Sequence, residues 1–144
     1  MTVKSVLCAI DLSHESDKEV LKTADKLARL DDAQLDVITV VPNFGMTLVG
    51  SYFDENFQGE MVSKTREALT KMVCDVLGED RNKSVRHIVS TGSIYEEILE
   101  VAAQAGTDLI VIGAHKPALK EFLLGPNAAR VVRHSNCSVY VVRS

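Results

Sequence analysis

The sequence is poor in cysteine and has no long apolar run, and each shortage excludes a class of protein. Its three cysteines are an odd number and lie in three different apolar segments. We therefore expect reduced, buried thiols in a cytoplasmic protein, and not disulfides or a metal site. No apolar run approaches the roughly 18 residues that a membrane-spanning helix needs, so we expect no membrane insertion. The opening stretch MTVKSVLCAIDLS carries no cleavage signature and predicts a strand.

Positive charge is also in short supply. The chain has 16 lysines and arginines against 20 aspartates and glutamates, which gives a formal net charge of −4. Because proteins that bind polyanions carry an excess of basic residues, nucleic acid and membrane surfaces are not expected as partners. The length of 144 residues, with 46% hydrophobic and 25% charged residues, predicts one globular domain over residues 1–144.

Five apolar runs alternate with segments of helical period. The runs lack the alternation of half-exposed strands, which indicates parallel strands covered on both faces. They are residues 5–11, 35–41, 84–90, 107–113 and 137–143. The first helical segment has apolar positions from Val20 to Ala28, and Ser16 and Glu19 have the spacing of a capping box. The other helices are predicted at about 60–77, from Ser93 to Gly106, and at about 126–135.

This order of elements predicts an α/β fold. We expect a single-domain, open, five-stranded parallel sheet in the order 3-2-1-4-5, with four helices on both faces. Residues 42–59 are the only long irregular stretch, whose length is typical of a lid, a partner surface or a mobile segment.

Ligands of such sheets bind beyond the carboxyl ends of the strands, where the strand order reverses. Asp11 follows the first strand and allows two interpretations. It can be a charge that favours a helix N-terminus by about 0.5 kcal/mol, or it can accept a hydrogen bond from a ribose hydroxyl or a base.

Three common sites of this architecture are absent from the sequence. The loop DLSHESD after the first strand has no glycine, which excludes a flavodoxin phosphate loop and the G-x-G-x-x-G dinucleotide motif. The third strand ends in Ser90-Thr91-Gly92, where a response regulator needs an acidic phospho-acceptor. Any phosphate site is therefore expected after the fourth strand.

The segment GAHKPALKEFLLGPNAARVVRHSN, residues 113–136, has features of a phosphate site. Its part from Ala114 to His134 has a net charge of +3, because four lysines and arginines stand against one glutamate. Gly113 is expected to let the backbone turn sharply, and Gly125 to bring it close to a ligand. The helix that begins there directs free N–H groups at an anion. The alternative is a loop with two turn glycines and a solvated basic face.

These features together resemble the universal stress protein family, within the adenine-nucleotide alpha-hydrolase-like superfamily. The resemblance covers the whole chain and rests on the order of elements, the DLS after the first strand and the ending LLGPNAARVVRHSNCSVYVVR. The AHKP and NAA pieces are similar to the short bacterial UspF-like branch. The resemblance implies a Rossmann-like fold, ATP or AMP with Mg²⁺ as cofactor, and a homodimer through the last strand.

Nucleotide-binding members of that family carry the motif G-x2-G-x9-G-(S/T), whose glycines and hydroxyl hold the phosphates. Gly113 matches the first glycine and Gly125 the third. Lys116 stands where the middle glycine is expected, and eight residues, not nine, separate it from Gly125. Pro126 replaces the Ser or Thr. The missing N–H and the missing hydroxyl each cost on the order of 1–3 kcal/mol if both bonds are direct.

Neighbouring groups can replace what the motif has lost. Pro126 suits the first helical position, where its missing N–H breaks no helix bond. Asn127 and Ala128 still present N–H groups, and the Asn127 amide can replace the hydroxyl. Lys116 or His115 can add a charged donor, although an exposed loop side chain is the favoured interpretation of His115.

The resemblance also implies which residues surround the nucleoside. Asp11 matches the acidic residue that approaches the adenosine moiety. Ala9, Val40 and Ile112 fall where the family lines the adenine and ribose pocket. The other histidines are assigned structural or solvent-exposed roles; they are His14, His87 and His134.

The sequence has no catalytic constellation. It contains no Ser-His-Asp order, no metal-ligand cluster and no carboxylate pair beside the basic loop. We therefore name no catalytic residue and expect any ATP hydrolysis to be slow and incidental. The leading hypothesis is a nucleotide-responsive stress regulator whose surface a partner protein recognises. The alternatives are a scaffold of the same family without a ligand and a weak ATPase.

The last strand predicts self-association. It is apolar and lies at an edge of the predicted sheet, where unpaired backbone groups invite pairing with a second strand. The homodimer contact is predicted at Val139, Tyr140, Val141 and Val142.

Overall fold

The computed structural model describes residues 2–41, 50–114 and 125–143, and of residues 50–57 the backbone alone. Strands and helices alternate along the chain. The strands are β1 (Ser5–Ala9), β2 (Gln34–Val41), β3 (Arg86–Thr91), β4 (Leu109–Ala114) and β5 (Ser138–Arg143). The helices are α1 (Asp17–Leu30), α2 (Gly50–Leu77), α3 (Glu79–Ser84), α4 (Ile94–Ala105) and α5 (Pro126–His134).

The five strands form one parallel sheet in the order β3-β2-β1-β4-β5, which confirms the predicted fold class and strand order. β1 is central and pairs on both sides, with Val6 opposite Leu35 of β2 and opposite Leu109 of β4. The chain therefore builds one half of the sheet outward from β1 and then returns to build the other half. The carboxyl ends of β1 and β4 separate the two halves, and a crevice forms at this reversal.

Side chains of the central strand alternate between two apolar cores. Cys8 belongs to the core that α1 and α2 cover. Leu7 and Ala9 belong to the opposite core, together with Ile98 of α4 and Val131 of α5. Full burial of each large aliphatic side chain stabilises the fold by about 1.5–3 kcal/mol. The two cores together fix the positions of the strand ends that carry the site.

Two helical features differ from the sequence prediction. Residues 42–59 are predicted to be irregular, but α2 begins at Gly50, so the prediction is wrong for residues 50–59. Residues 42–49 lie outside the described residues. The stretch GSYFDENFQ has only three apolar residues, Tyr52, Phe53 and Phe57, and so short a set gives a weak periodic signal.

The second difference is the number of helices, since four are predicted and the described residues contain five. The additional helix is α3, which has six residues and buries none of them. Gly78 precedes it with a φ of 94°, a conformation that a glycine adopts readily and that ends α2. A helix without an apolar stripe has no periodic signal in the sequence.

Candidate functional site

A cavity of about 550 Å³ lies at the reversal of the sheet, beyond the carboxyl ends of β1, β2 and β4. Its volume is in the range of small-molecule sites, roughly 300–1,000 Å³. The floor is apolar and consists of Ala9, Ile38 and Ile112 from the strands and Ile98 from α4. These side chains are almost completely buried, so the floor is a rigid apolar surface of the kind on which a flat ring packs.

Nine of the eleven residues predicted to bind nucleotide line this cavity. They are Ala9, Asp11, Val40, Ile112, Gly113, Gly125, Pro126, Asn127 and Ala128. The other two, His115 and Lys116, lie outside the described residues. Folding thus brings together the end of β1 and the start of α5, which are far apart in the chain. Binding of a nucleotide by these residues stays a prediction.

Gly113 occupies a different position from the one predicted for it. The sequence predicts a sharp turn at this glycine, but β4 continues through it to Ala114. Gly113 pairs with Val142 of β5 in the parallel register. The prediction of a turn at Gly113 is therefore wrong, because the pairing with β5 extends the strand by one residue. Gly113 is the penultimate residue of β4 and lines the cavity. Because it has no side chain, its backbone is accessible from the cavity.

The turn between β1 and α1 forms one polar wall of the cavity. Asp11 Oδ1 accepts hydrogen bonds from the backbone N–H of Ser13 at 2.9 Å and from its hydroxyl at 2.6 Å. His14 Nε2 lies 3.4 Å from Asp11 Oδ2 and forms an ion pair when its ring is protonated. Both side chains are about half exposed, so this pair contributes little to stability. Its effect is to fix the orientation of the Asp11 carboxylate.

Asp17 lies beneath this turn, as the first residue of α1. It is 1% exposed and lines the cavity. Its Oδ2 accepts a hydrogen bond from the backbone N–H of Asp11 at 2.6 Å. Hydrogen bonds to a carboxylate are about twice as strong as those between neutral groups. The end of β1 is therefore tied to the beginning of α1.

The opposite polar wall is the N-terminus of α5. Gly125 is the N-cap with φ 89° and ψ 155°, and Pro126 occupies the first turn of the helix, as predicted. The first backbone bond of the helix runs from Ala129 N–H to the Gly125 carbonyl at 3.1 Å. The N–H groups of Asn127 and Ala128 precede it and have no acceptor within the helix. They carry the partial positive charge of the helix terminus to the cavity wall.

The sequence predicts only part of the polar lining. Ser13, His14 and Asp17 line the cavity, but the sequence assigns His14 a structural or solvent role and gives the other two no ligand role. Ile94 at the start of α4 completes the apolar lining. The available signal is their position, since all four stand just after a strand or at the start of a helix, next to the reversal of the sheet.

The three cysteines are free, and the predicted burial holds for one of them. Cys8 is buried, whereas Cys74 and Cys137 are half-buried. Burial raises the pKa of the Cys8 thiol well above its ordinary value, and the negative charge of Asp17 raises it further. Among the described residues, no group of three or more His, Cys, Asp or Glu is placed to hold a metal ion. Within the same ranges, no helix has the length and apolarity needed to cross a membrane.

Comparison with known proteins places this chain in a family. The model of the universal stress protein family matches residues 2–143. The universal stress protein A homolog 1 of Coxiella burnetii is 30% identical over 145 residues, which cover 99% of this chain and 97% of that protein. The universal stress protein G of Shigella flexneri is 27% identical over 147 residues, which cover 97% and 99%.

Solved structures share the fold at lower identity. Universal stress protein UspA from Lactobacillus plantarum superposes with a TM-score of 0.80 at 21% identity, over 99% of both chains. The universal stress protein from Archaeoglobus fulgidus in complex with dAMP has a TM-score of 0.60 at 21% identity, over 98% of both chains. A universal stress protein in complex with cAMP has a TM-score of 0.67 at 18% identity, over 99% of this chain and 98% of that one.

Proposed function

Because this chain belongs to the universal stress protein family, we propose that it is an adenine-nucleotide-binding regulator of a stress response. The observation that carries the proposal is the pairing of two unlike polar walls across an apolar floor. One wall presents the carboxylate of Asp11, and the other presents the N–H groups at the start of α5. A nucleotide has complementary parts, namely hydroxyl and amino donors, a flat ring, and an anion.

The two walls assign an orientation to the ligand. The phosphate lies at the first turn of α5, where Asn127 and Ala128 donate N–H groups and the helix dipole favours an anion. The ribose or the base faces Asp11, and the ring packs on the floor formed by Ala9, Ile38 and Ile112. Pro126 removes one donor from the phosphate end, and the Asn127 side chain supplies another. His115 and Lys116 are proposed as further donors on the basis of the sequence alone.

Two related proteins make an adenine nucleotide the first ligand to test. One is the Archaeoglobus fulgidus protein in complex with dAMP, and the other is the universal stress protein in complex with cAMP. For this chain we propose AMP or ATP. Mg²⁺ would accompany the phosphates of ATP, because magnesium is usually held by one or two carboxylates together with substrate phosphates.

Regulation follows from what a bound nucleotide would connect. A ligand in this cavity contacts the β1–α1 turn and the start of α5 at once, so it stabilises one arrangement of the two. A partner protein with different affinities for the loaded and empty forms then responds to the nucleotide. We propose that the protein acts in the cytoplasm as a homodimer, and that the two copies meet at β5. The partner protein that recognises the loaded form is a separate molecule.

Thermal unfolding with and without nucleotide tests the proposal. A ligand that binds only the folded chain stabilises it by about 2.7 kcal/mol at a concentration of 100 times its Kd. For a domain of this size we expect AMP or ATP to raise the unfolding midpoint by roughly 8 °C under that condition.

Inorganic phosphate at the same concentration and ionic strength is the control for a general anion effect. A midpoint that does not move at millimolar AMP and ATP would contradict the proposal and favour the scaffold without a ligand. Phosphate release from ATP above background, lost in Gly125→Val, would instead favour the weak ATPase.

A further inference from the structure

The hydrogen bond between Asp17 and the Asp11 backbone joins two features of the cavity. Asp17 Oδ2 accepts the N–H of Asp11 at 2.6 Å, and Asp17 is 1% exposed. Asp11 is the residue whose carboxylate faces the proposed nucleoside. The hydrogen bond thus acts on the backbone of a ligand-facing residue without using that residue's own side chain.

Two further backbone bonds complete the turn. His14 N–H donates to the Asp11 carbonyl at 3.1 Å, and Asp17 N–H donates to the His14 carbonyl at 3.1 Å. The Asp11 side chain accepts from Ser13, which closes the turn on the other side. Asp11 is therefore held through its backbone N–H by Asp17, through its backbone carbonyl by the His14 N–H, and through its carboxylate by Ser13. Of these three contacts, the one to Asp17 is made by a buried charged group.

A buried carboxylate is costly unless it is well satisfied, and α1 does not require one at this position. Exposed acidic residues also stabilise helix N-termini, and Glu19 in the same first turn is 60% exposed. Ser16 is the N-cap and makes no side-chain capping bond. A role in capping α1 alone therefore does not account for the burial of Asp17 at the cavity.

We infer that Asp17 is a positioning residue, which holds the β1–α1 turn so that the Asp11 carboxylate is presented to the nucleoside part of the ligand. The inference rests on the proposed function for its consequence in binding. Asp17 acts through Asp11, so its loss weakens binding only while the Asp11 carboxylate is present. A residue that merely stabilised α1 would have the same effect with or without that carboxylate.

A double-mutant cycle on AMP affinity tests this dependence. We expect Asp17→Ala to weaken AMP binding about tenfold, and Asp17→Asn, which retains a neutral acceptor, to weaken it less. In the Asp11→Ala background both substitutions at position 17 are expected to change the affinity by less than about twofold. Glu19→Gln removes an acidic charge from the same helical turn without contact to Asp11, and it should bind AMP like the wild type.

A second measurement does not depend on the ligand. Hydrogen exchange of the Asp11 backbone N–H, followed by NMR in Asp17→Asn and in the wild type, reports directly on the hold over the turn. We expect faster exchange in the variant and no change in Glu19→Gln.

The outcomes separate the two proposals. If the wild type binds AMP and the Asp17 variants bind equally well, or lose the same affinity without the Asp11 carboxylate, the positioning role is overturned and the proposed function stands. If the wild type binds no nucleotide, the proposed function falls. The exchange rate of the Asp11 N–H then decides whether Asp17 holds the turn, and an unchanged rate overturns that as well.

Discussion

At the scale of the residue, a buried thiol in β1, Cys8, interacts with a buried carboxylate at the start of α1, Asp17. Cys8 is 0% exposed, and its pKa is raised first by burial and second by the charge of Asp17. The thiolate is the reactive form of cysteine, so Cys8 remains a neutral packing residue at physiological pH. Burial of the Cys8 thiol, and to a smaller extent the charge of Asp17, thus keeps it unreactive.

This raised pKa predicts a loss of stability at alkaline pH. The unfolded chain releases the Cys8 proton at its ordinary pKa, about 8.5, whereas the folded chain retains it to higher pH. The contribution is therefore complete below about pH 8.5 and is lost as the pH rises through the folded pKa. We expect the free energy of unfolding to fall more steeply above about pH 9 in the wild type than in Cys8→Ala.

Urea unfolding at a series of pH values measures both slopes. Cys137→Ala serves as the control for the loss of a thiol, because it removes a half-buried cysteine that immediately precedes β5. Equal slopes in the wild type and Cys8→Ala would show that Cys8 has no such titration.

At this scale the sequence predicts side chains better than turns. Asp11 is identified as a candidate because it follows an apolar strand. Ser16 and Glu19 have the spacing of a capping box, yet Ser16 makes no side-chain capping bond. The hydrogen bond that closes the turn joins Asp17 to the backbone of Asp11 instead. Such a bond depends on the exact path of the loop, which residue spacing does not determine.

Among the elements, α3 and α5 begin in the same unusual way. Gly78 precedes α3 with φ 94° and ψ 159°, and Gly125 precedes α5 with φ 89° and ψ 155°. This region of backbone conformation is essentially restricted to glycine, and other residues there cost roughly 1–3 kcal/mol. A Cβ added at Gly78 would meet no atom within 4 Å. The two glycines therefore form a matched pair, of which only Gly125 lines the cavity.

Alanine at each glycine separates backbone strain from ligand binding. We expect Gly125→Ala and Gly78→Ala to lose similar stability, roughly 1–3 kcal/mol each, in urea unfolding. We expect the backbone strain of Gly125→Ala to shift the first turn of α5, which forms the polar wall proposed to bind the phosphate. Gly125→Ala should therefore also weaken AMP binding about tenfold in calorimetry, and Gly78→Ala should leave it within about twofold.

An equal loss of affinity in both variants would mean that the effect comes from stability alone. Unchanged affinity in Gly125→Ala would remove the start of α5 from the proposed phosphate site.

The sequence correctly predicts the helices and strands that have a strong apolar pattern. The parts that it misses have a weak apolar pattern or none. The five strands fall within two residues of the predicted runs. β1, β2 and β4 are buried on both faces, as their continuous apolar runs predict, whereas the edge strands β3 and β5 are only partly buried. The helix α4 ends at Gly106, whose φ of 65° and ψ of 39° are left-handed, as expected for a glycine there. The start of α2 has only three apolar residues in its first nine positions, and α3 has none, so the periodic signal is weak in the first and absent in the second.

At the scale of the whole molecule, β5 forms one edge of the sheet. It pairs with β4 on one side. Tyr140 is 46% exposed on this strand, and its neighbours Val139, Val141 and Val142 are half-buried. An apolar edge with exposed aromatic surface is a site of strand pairing unless something covers it. A second copy of β5 would cover it by two-fold symmetry, which is the basis of the proposed homodimer.

A charge at the centre of this edge tests the proposed dimer. We expect the wild type to have twice the chain mass of 15.7 kDa in light scattering at micromolar concentration, and Tyr140→Asp to have the mass of one chain. In a dimer of this variant the two negative charges would lie close together across the two-fold axis and repel each other, and the apolar contact of the Tyr140 side chains would be lost.

Leu30→Asp is the matched control, because Leu30 is 75% exposed at the end of α1 and leads to β2, which is three strands away from β5 in the sheet. It should remain a dimer. A monomeric wild type, or a Tyr140→Asp variant that stays dimeric, would contradict an interface at β5.

The central position of β1 also determines when a newly made chain acquires its cavity. β1 is synthesised first, but Val6 can pair with Leu109 only after β4 has been made. The N-terminus of α5, which forms the opposite polar wall, is made later still. A ribosome-bound chain that has emerged only as far as α4 therefore lacks Ile112 of the apolar floor and the polar wall at the start of α5. Nucleotide would then act as a late check on completeness: a truncated chain could not bind it, and the early steps of folding would proceed at the same rate with or without it.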